Sequence, residues 1–341
     1  ASPFAFTEIE GIARDADGNL IVTSEDGSSG SKVWRARKFK EDGTAVSSAN
    51  VSLASNFTSI LAIPIFHPSA NKTLFLGHDV FGGGPSGDRT LFSVDDSGGS
   101  SSFALGQRTV VYTAAVPIPL GFVAFCDSAI SLYVYDLKSG AHQWRKSMGD
   151  VYTGVLNAAL GFPPILSSTG KLVWGFPVAG PSPAYMSDRF WIGVFNPLTG
   201  AVESSATIVP NAGTVLSGAT QYLVGVADSS GRVYMPVYMN TGGVDYLYCF
   251  NTSDISNPTV LTGPTGEFDQ LSITENAVYT RDDSYAGGGV GIKKYALGLG
   301  SVASVELDNG TTYFGSATPG IDVKGYMAGI VFQKARIAMG G

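Results

Sequence analysis

The chain is predicted to be an all-β propeller of four-stranded antiparallel blades. Three observations lead there: a turn-rich composition, a turn-then-strand pattern that recurs six times, and a second strand after each recurrence at a blade-like interval. Gly 44 and Pro 17 supply the turns, and 44% hydrophobic residues supply a core that a disordered chain would lack. A length of 341 residues would accommodate two average domains, but large β rings form one unit, and the recurrence favours a single domain over 1–341.

In chain order, the recurring strands are Asp17-Gly-Asn-Leu-Ile-Val-Thr23, Asn71-Lys-Thr-Leu-Phe-Leu76, Leu120-Gly-Phe-Val-Ala-Phe125, Thr169-Gly-Lys-Leu-Val-Trp174, Ser230-Gly-Arg-Val-Tyr-Met235 and Glu275-Asn-Ala-Val-Tyr279. Each has Gly or Asn within its first two residues and leads into a short apolar run. A loop of variable length leads to the next strand: Lys32–Arg37, Arg89–Val94, Ser131–Tyr135, Arg189–Phe195, Asp245–Phe250 and Val290–Tyr295. Turns such as Asp136-Leu-Lys-Ser-Gly140 and Asn196-Pro-Leu-Thr-Gly200 close these strands, because an Asx side chain bonds its own backbone and Gly accepts positive φ.

Adding an inner and an outer strand to each pair gives units at 8–55, 56–107, 108–150, 151–209, 210–262 and 263–308. The remainder, 309–341, holds strand-like Thr312–Gly315 and Tyr326–Phe332. With Pro3-Phe-Ala-Phe6 from the other end it would complete a seventh blade that joins the termini; six blades with a C-terminal tail is the alternative.

Only 14% of residues are charged, against about 25% in ordinary domains, and the net charge is -7. An acidic, weakly charged surface excludes a phosphate backbone as a general partner. The longest uncharged stretch, Thr109 to Cys126, is broken by Pro117, Pro119 and Gly121, so no transmembrane helix is expected. The small first residue, Ala1, and sequons at Asn50, Asn56, Asn71, Asn251 and Asn309 fit a processed, secreted glycoprotein.

The segment Leu132-Tyr-Val-Tyr-Asp-Leu-Lys-Ser-Gly-Ala-His-Gln-Trp144 resembles the repeat of quinoprotein-like propellers, in which an apolar strand, an Asp turn with Ser-Gly or Thr-Gly and a docking Trp recur in each blade. Phe190 to Ala201 is a weaker copy. The resemblance implies the fold. The quinone-using members also carry adjacent cysteines and a calcium site, whereas Cys126 and Cys249 lie far apart in this chain, so the quinone does not follow. Both cysteines are expected to be reduced and buried, because two positions separated by a whole blade exceed disulfide reach.

Antiparallel connectivity sends the loops after the second strands to the same end as the links between blades. That end receives Asp26, Asp79, Asp127, Asn240 and Asp282-Asp283. The candidate ligand-binding set there is His78, Asp79, Asp88, Arg89, Asp127, Asp188 and Asp282, with Asp79, Asp127 and Asp282 as candidate Ca²⁺ ligands. Convergent oxygens suit both hard cations and sugar hydroxyls, and Asx-turn chemistry is the structural alternative. No other cofactor is expected.

His67, His78 and His142 fall in separate contexts, without zinc spacing, and read as surface imidazoles. Lys32, Arg35, Arg37, Lys38 and Lys40 form a basic strand that reads as a solvated outer region. The gathered expectation is a secreted extracellular binding or structural propeller that is non-catalytic, self-associating or glycan-binding. A hydrolase, lyase or oxidoreductase with its site on the loop face is the alternative, and an intracellular scaffold a third reading.

Overall fold

A computed structural model describes residues 8–15, 17–26, 33–46, 51–54, 59–60, 65–67, 69–78, 89–95, 100–104, 116–126, 130–154, 161–179, 188–210, 225–237, 244–264, 268, 270–282, 291–300, 302–305, 320–321 and 327–328. Among these, the strands group into six sheets and one short hairpin. The first sheet holds β1 (Glu8–Arg14), β2 (Leu20–Asp26), β3 (Val33–Phe39) and β4 (Val51–Ala54). In the second, β5 (Ser59–Ile60) and β6 (Ile65–His67) both pair with β7 (Lys72–His78), followed by β8 (Arg89–Asp95) and β9 (Ser100–Ala104).

The third sheet comprises β10 (Val116–Ile118), β11 (Phe122–Cys126), β12 (Ser131–Asp136) and β13 (His142–Ser147), and is followed by a single helical turn, α1 (Met148–Val151). The fourth comprises β14 (Ile165–Leu166), β15 (Leu172–Val178), β16 (Arg189–Phe195) and β17 (Val202–Ile208). The fifth has β18 (Val226–Ala227), β19 (Arg232–Val237), β20 (Val244–Asn251) and β21 (Asp254–Pro264), and the sixth β22 (Gln270–Ile273), β23 (Ala277–Asp282), β24 (Gly291–Ala296) and β25 (Val302–Val305). All pairs are antiparallel meanders, and the six predicted strand pairs each fall in their own sheet.

The first strands touch from sheet to sheet, β1 with β6, β6 with β10, β10 with β14, β14 with β18 and β18 with β22. The hairpin of β26 (Gly320–Ile321) and β27 (Met327–Ala328) follows, with β26 against β22 on one side and β1 on the other.

Period-2 alternation sends each strand's side chains to both neighbouring sheets. On β16, Phe190, Ile192 and Val194 enter one core with Tyr246, Tyr248 and Phe250 of the fifth sheet. Trp191 and Phe195 enter another with Leu132, Val134 and Trp174. Leu247 and Cys249 turn the other way, to Leu271, Val278 and Tyr295 of the sixth sheet. Sheets that would expose an apolar face alone therefore bury both faces, each large side chain contributing about 2 kcal/mol of burial. Cys126 and Cys249 are buried in different inter-sheet cores and form no disulfide.

The basic strand departs from expectation. Arg37 and Lys38 are buried, and the Lys38 ammonium lies on the buried Asp15 carboxylate at the turn of the same sheet.

Candidate functional site

The meander gives the sheets two chemically different ends. One carries the turns between first and second and between third and fourth strands; the other carries the loops after second strands and the links between sheets.

At the turn end, the residue leaving the first strand recurs as a hydrogen-bonding hub: Asp15, His67, Ser167, Asp228 and Thr274. Asp15 Oδ1 accepts from the amides of Asp17 and Asn19, and Asp228 Oδ1 from those of Ser230 and Arg232. Ser167 Oγ accepts from the Lys171 amide. A turn residue with positive φ precedes the second strand in four of these sheets, at Gly18, Asn71, Gly170 and Gly231.

Asp228 is the densest hub. Its Oδ2 also accepts from Arg232 Nε at 2.6 Å and from the Tyr234 hydroxyl at 2.9 Å, and that hydroxyl accepts the Gly298 amide of the sixth sheet at 2.8 Å. Burial alone would raise the Asp228 carboxyl. The bonds from Ser230, Arg232 and Tyr234 outweigh it and hold the group below the usual carboxylate range. Asp15 is lowered in the same way: burial acts against bonds from Lys38 and Asn19.

His67 is buried rather than superficial, since the neighbouring sheet closes over its turn. A carbonyl can only accept, so Nε2 donates to Phe122 O at 2.7 Å while Nδ1 accepts the Ala70 amide at 3.2 Å. That fixes a neutral tautomer, and burial lowers its affinity for a second proton. Other ties cross between sheets at this end. Trp144 Nε1 donates to Pro197 O at 2.8 Å, and its ring lies stacked on Phe195 with centroids 6.4 Å apart. A Cβ at Gly200, where φ is +68°, would stand 2.8 Å from that ring. The Trp of the quinoprotein-like motif thus docks onto the next sheet. His142 is exposed, as expected.

At the loop end, four residues of the predicted ligand set are described. His78 ends β7 and pairs with Arg89 at the start of β8, Asp282 ends β23, and Asp188 immediately precedes β16. Asp79, Asp88, Asp127, Asp283 and Asn240 lie outside the described residues, and Asp26, His78, Arg89 and Asp282 are described by backbone alone. Of the proposed Ca²⁺ ligands, then, Asp79 and Asp127 are outside the description and Asp282 contributes a strand end. Asp188 is defined in full: its carboxylate accepts from Arg189 Nε at 2.9 Å and Nη2 at 3.0 Å. Among the described residues, no three His, Cys, Asp or Glu side chains converge as a metal site.

Near this end, Ile130 holds φ 55° while buried, and its carbonyl accepts the Met148 amide. A β-branched residue is strained there. Met148 opens α1, where Ser147 and Asp150 form a reciprocal capping box. Of the sequons, Asn71 is exposed in a turn and Asn251 is exposed at the end of β20, its Oδ1 accepting from Ser253; Asn50, Asn56 and Asn309 lie outside the described residues.

Asp15 and Asp228 were not singled out in the sequence, and His67 was read there as a surface imidazole, although Asp15-Ala-Asp-Gly18 and Asp228-Ser-Ser-Gly231 place an Asp three residues before the turn Gly in both cases. That spacing was the available signal.

Comparison with known proteins agrees with the architecture. A streptogramin B lyase structure superposes with a TM-score of 0.60 at 12% identity, covering 95% of this chain and 90% of that one. The WD40 β-propeller domain of Doa1 gives 0.54 at 11% identity over 90% and 85%, and the Dos1 propeller 0.50 at 11% over 90% and 73%. No family model matches the chain, and no curated protein matches it. At such identities the likeness carries fold alone. The chain is a β-propeller of four-stranded antiparallel sheets.

Proposed function

We propose that this propeller is a secreted, non-catalytic binding or structural protein, with its ligand surface at the loop end and its turn end given over to cohesion. The observation that carries the reading is the use of buried ionisable groups: Asp15, Lys38, His67 and Asp228 hold turns or tie one sheet to the next. Groups so engaged are positioned for stability rather than for proton transfer. We further propose one domain with seven blades, the last built from 309–341 together with Pro3-Phe-Ala-Phe6. The contacts of β26 with both β22 and β1 support it.

Glycan or Ca²⁺ binding at the loop end, glycosylation at the five sequons and self-association belong to the same proposal. Calorimetry with Ca²⁺ and a glycan array, run on the intact protein and on Asp188→Asn and Asp282→Asn, tests the ligand surface. Binding that both substitutions weaken supports it. Absence of binding in both assays restricts the protein to a structural role, and turnover of a substrate dependent on either aspartate would establish the enzyme alternative.

A further inference from the structure

The turn end carries a feature that cohesion does not use. In the seam between the second and third sheets lies a groove of about 710 Å³, lined by Lys72, Leu120, Phe122, Leu137 and Lys138 along with backbone from neighbouring turns. Leu120 is 73% exposed, more than any other large hydrophobic side chain described, and it stands at φ 68°, ψ 19°. Four of the five equivalent turns place one residue, Gly18, Asn71, Gly170 or Gly231, in the left-handed region, and the turn after Thr274 places none. This turn places two, Leu120 and then Gly121, and the first bears a side chain. Holding a non-glycine residue there costs about 1–2 kcal/mol. Because the side chain is exposed, packing within this chain does not repay that cost.

The charge of the groove runs against that of the molecule. Lys72 and Lys138 flank it, and among the described residues neither is within ion-pair distance of a carboxylate, Asp136 feeling the Lys138 charge only from farther away. The one carboxylate present, Asp136, is bound into its own turn, with Oδ1 accepting the Lys138 amide at 2.8 Å and Oδ2 the Ser139 hydroxyl at 2.9 Å. Ser139 Oγ in turn accepts the Ala141 amide. The groove therefore offers two ammonium groups and an apolar wall, with few unengaged acceptors for the hydroxyls of a polyol.

We propose that this seam groove docks an extended acidic segment of a partner protein, its carboxylates on Lys72 and Lys138 and an apolar side chain against Leu120, Leu137 and Phe122. A chain of net charge -7 that places two cations outside any ion pair among the described residues, beside an exposed Leu, has the complementarity for such a segment. The site is at the opposite end of the sheets from the proposed loop-end ligand surface and is independent of it.

Fluorescence anisotropy on the full chain tests this, with labelled acetyl-(Glu-Leu-Asp)3-amide as probe and (Gln-Leu-Asn)3 as its neutral counterpart. The acidic peptide is expected to bind at least about tenfold tighter than the neutral one and to weaken as salt screens the lysines. Lys72→Gln with Lys138→Gln should cost about tenfold or more, and Leu120→Gly about fivefold through lost apolar contact. Leu120→Gly relieves the left-handed φ, so its melting temperature should hold or rise, which separates loss of binding from unfolding. Equal binding of the two peptides, no binding, or indifference to these substitutions overturns the proposal. So does displacement of the probe by a uronate oligosaccharide that binds more tightly with the same lysine dependence. Sedimentation showing that the substitutions dissolve a self-assembly would replace the partner by a second copy and overturn it as well.

Discussion

Asp228 shows how one side chain serves both its turn and the ring. Its folded acidity is depressed, so its contribution is complete above the unfolded carboxylate pKa of about 4 and is lost as pH falls through the lower folded value. Asp228→Asn should cost about 2–4 kcal/mol at neutral pH, leaving Arg232 without its partner, and should flatten the decline below pH 4; urea titrations from pH 3 to 7 measure both. His67 obeys the same sign at a higher pH. Burial depresses its folded pKa, so its stability contribution is intact above about pH 6.5 and falls away below it. Melting temperatures at pH 7.5 and 5.5 should differ more in the natural chain than in His67→Gln. Neither residue was legible as buried. A one-dimensional pattern cannot tell that the next sheet closes over a polar turn, and the same blindness made Arg37 and Lys38 read as solvated.

The elements were legible where two signals coincided. A turn former followed by alternating β-branched and aromatic residues marked every second and third strand. The innermost strands were less visible, because β14 and β18 are two residues long and too short to show alternation. The docking Trp was readable from its motif, but its partner was not, since Pro197 and Gly200 belong to the next repeat. Gly200→Ala should cost about 1–3 kcal/mol, combining an unfavourable φ with a Cβ pressed into the Trp144 ring. Trp144→Ala, which removes the stack on Phe195, should cost a similar or larger amount. Guanidinium unfolding of each variant measures this, and the double variant should fall short of additive because the two changes disrupt one contact.

At the scale of the molecule, a propeller has no single core. Its stability is a series of inter-sheet cores, each requiring a neighbour on both faces. Which end of the sheets the loops after the second strands occupy was legible, since connectivity alone determines it; the side-chain chemistry of a ligand set there depends on loops whose lengths vary from unit to unit and leave no periodic trace. In the proposed seven-bladed ring, β26 joins the last full sheet to the first, so the closing segment should stabilise sheets far from it in sequence. Differential scanning calorimetry of the full chain and of a chain ending at residue 308 tests this most directly. One cooperative transition for the full chain, with a melting temperature lower by about 10 °C or more in the shortened one, is the expected result. An unchanged transition after removal of 309–341 would show that the first and sixth sheets close the ring without it, and would contradict the seven-bladed account.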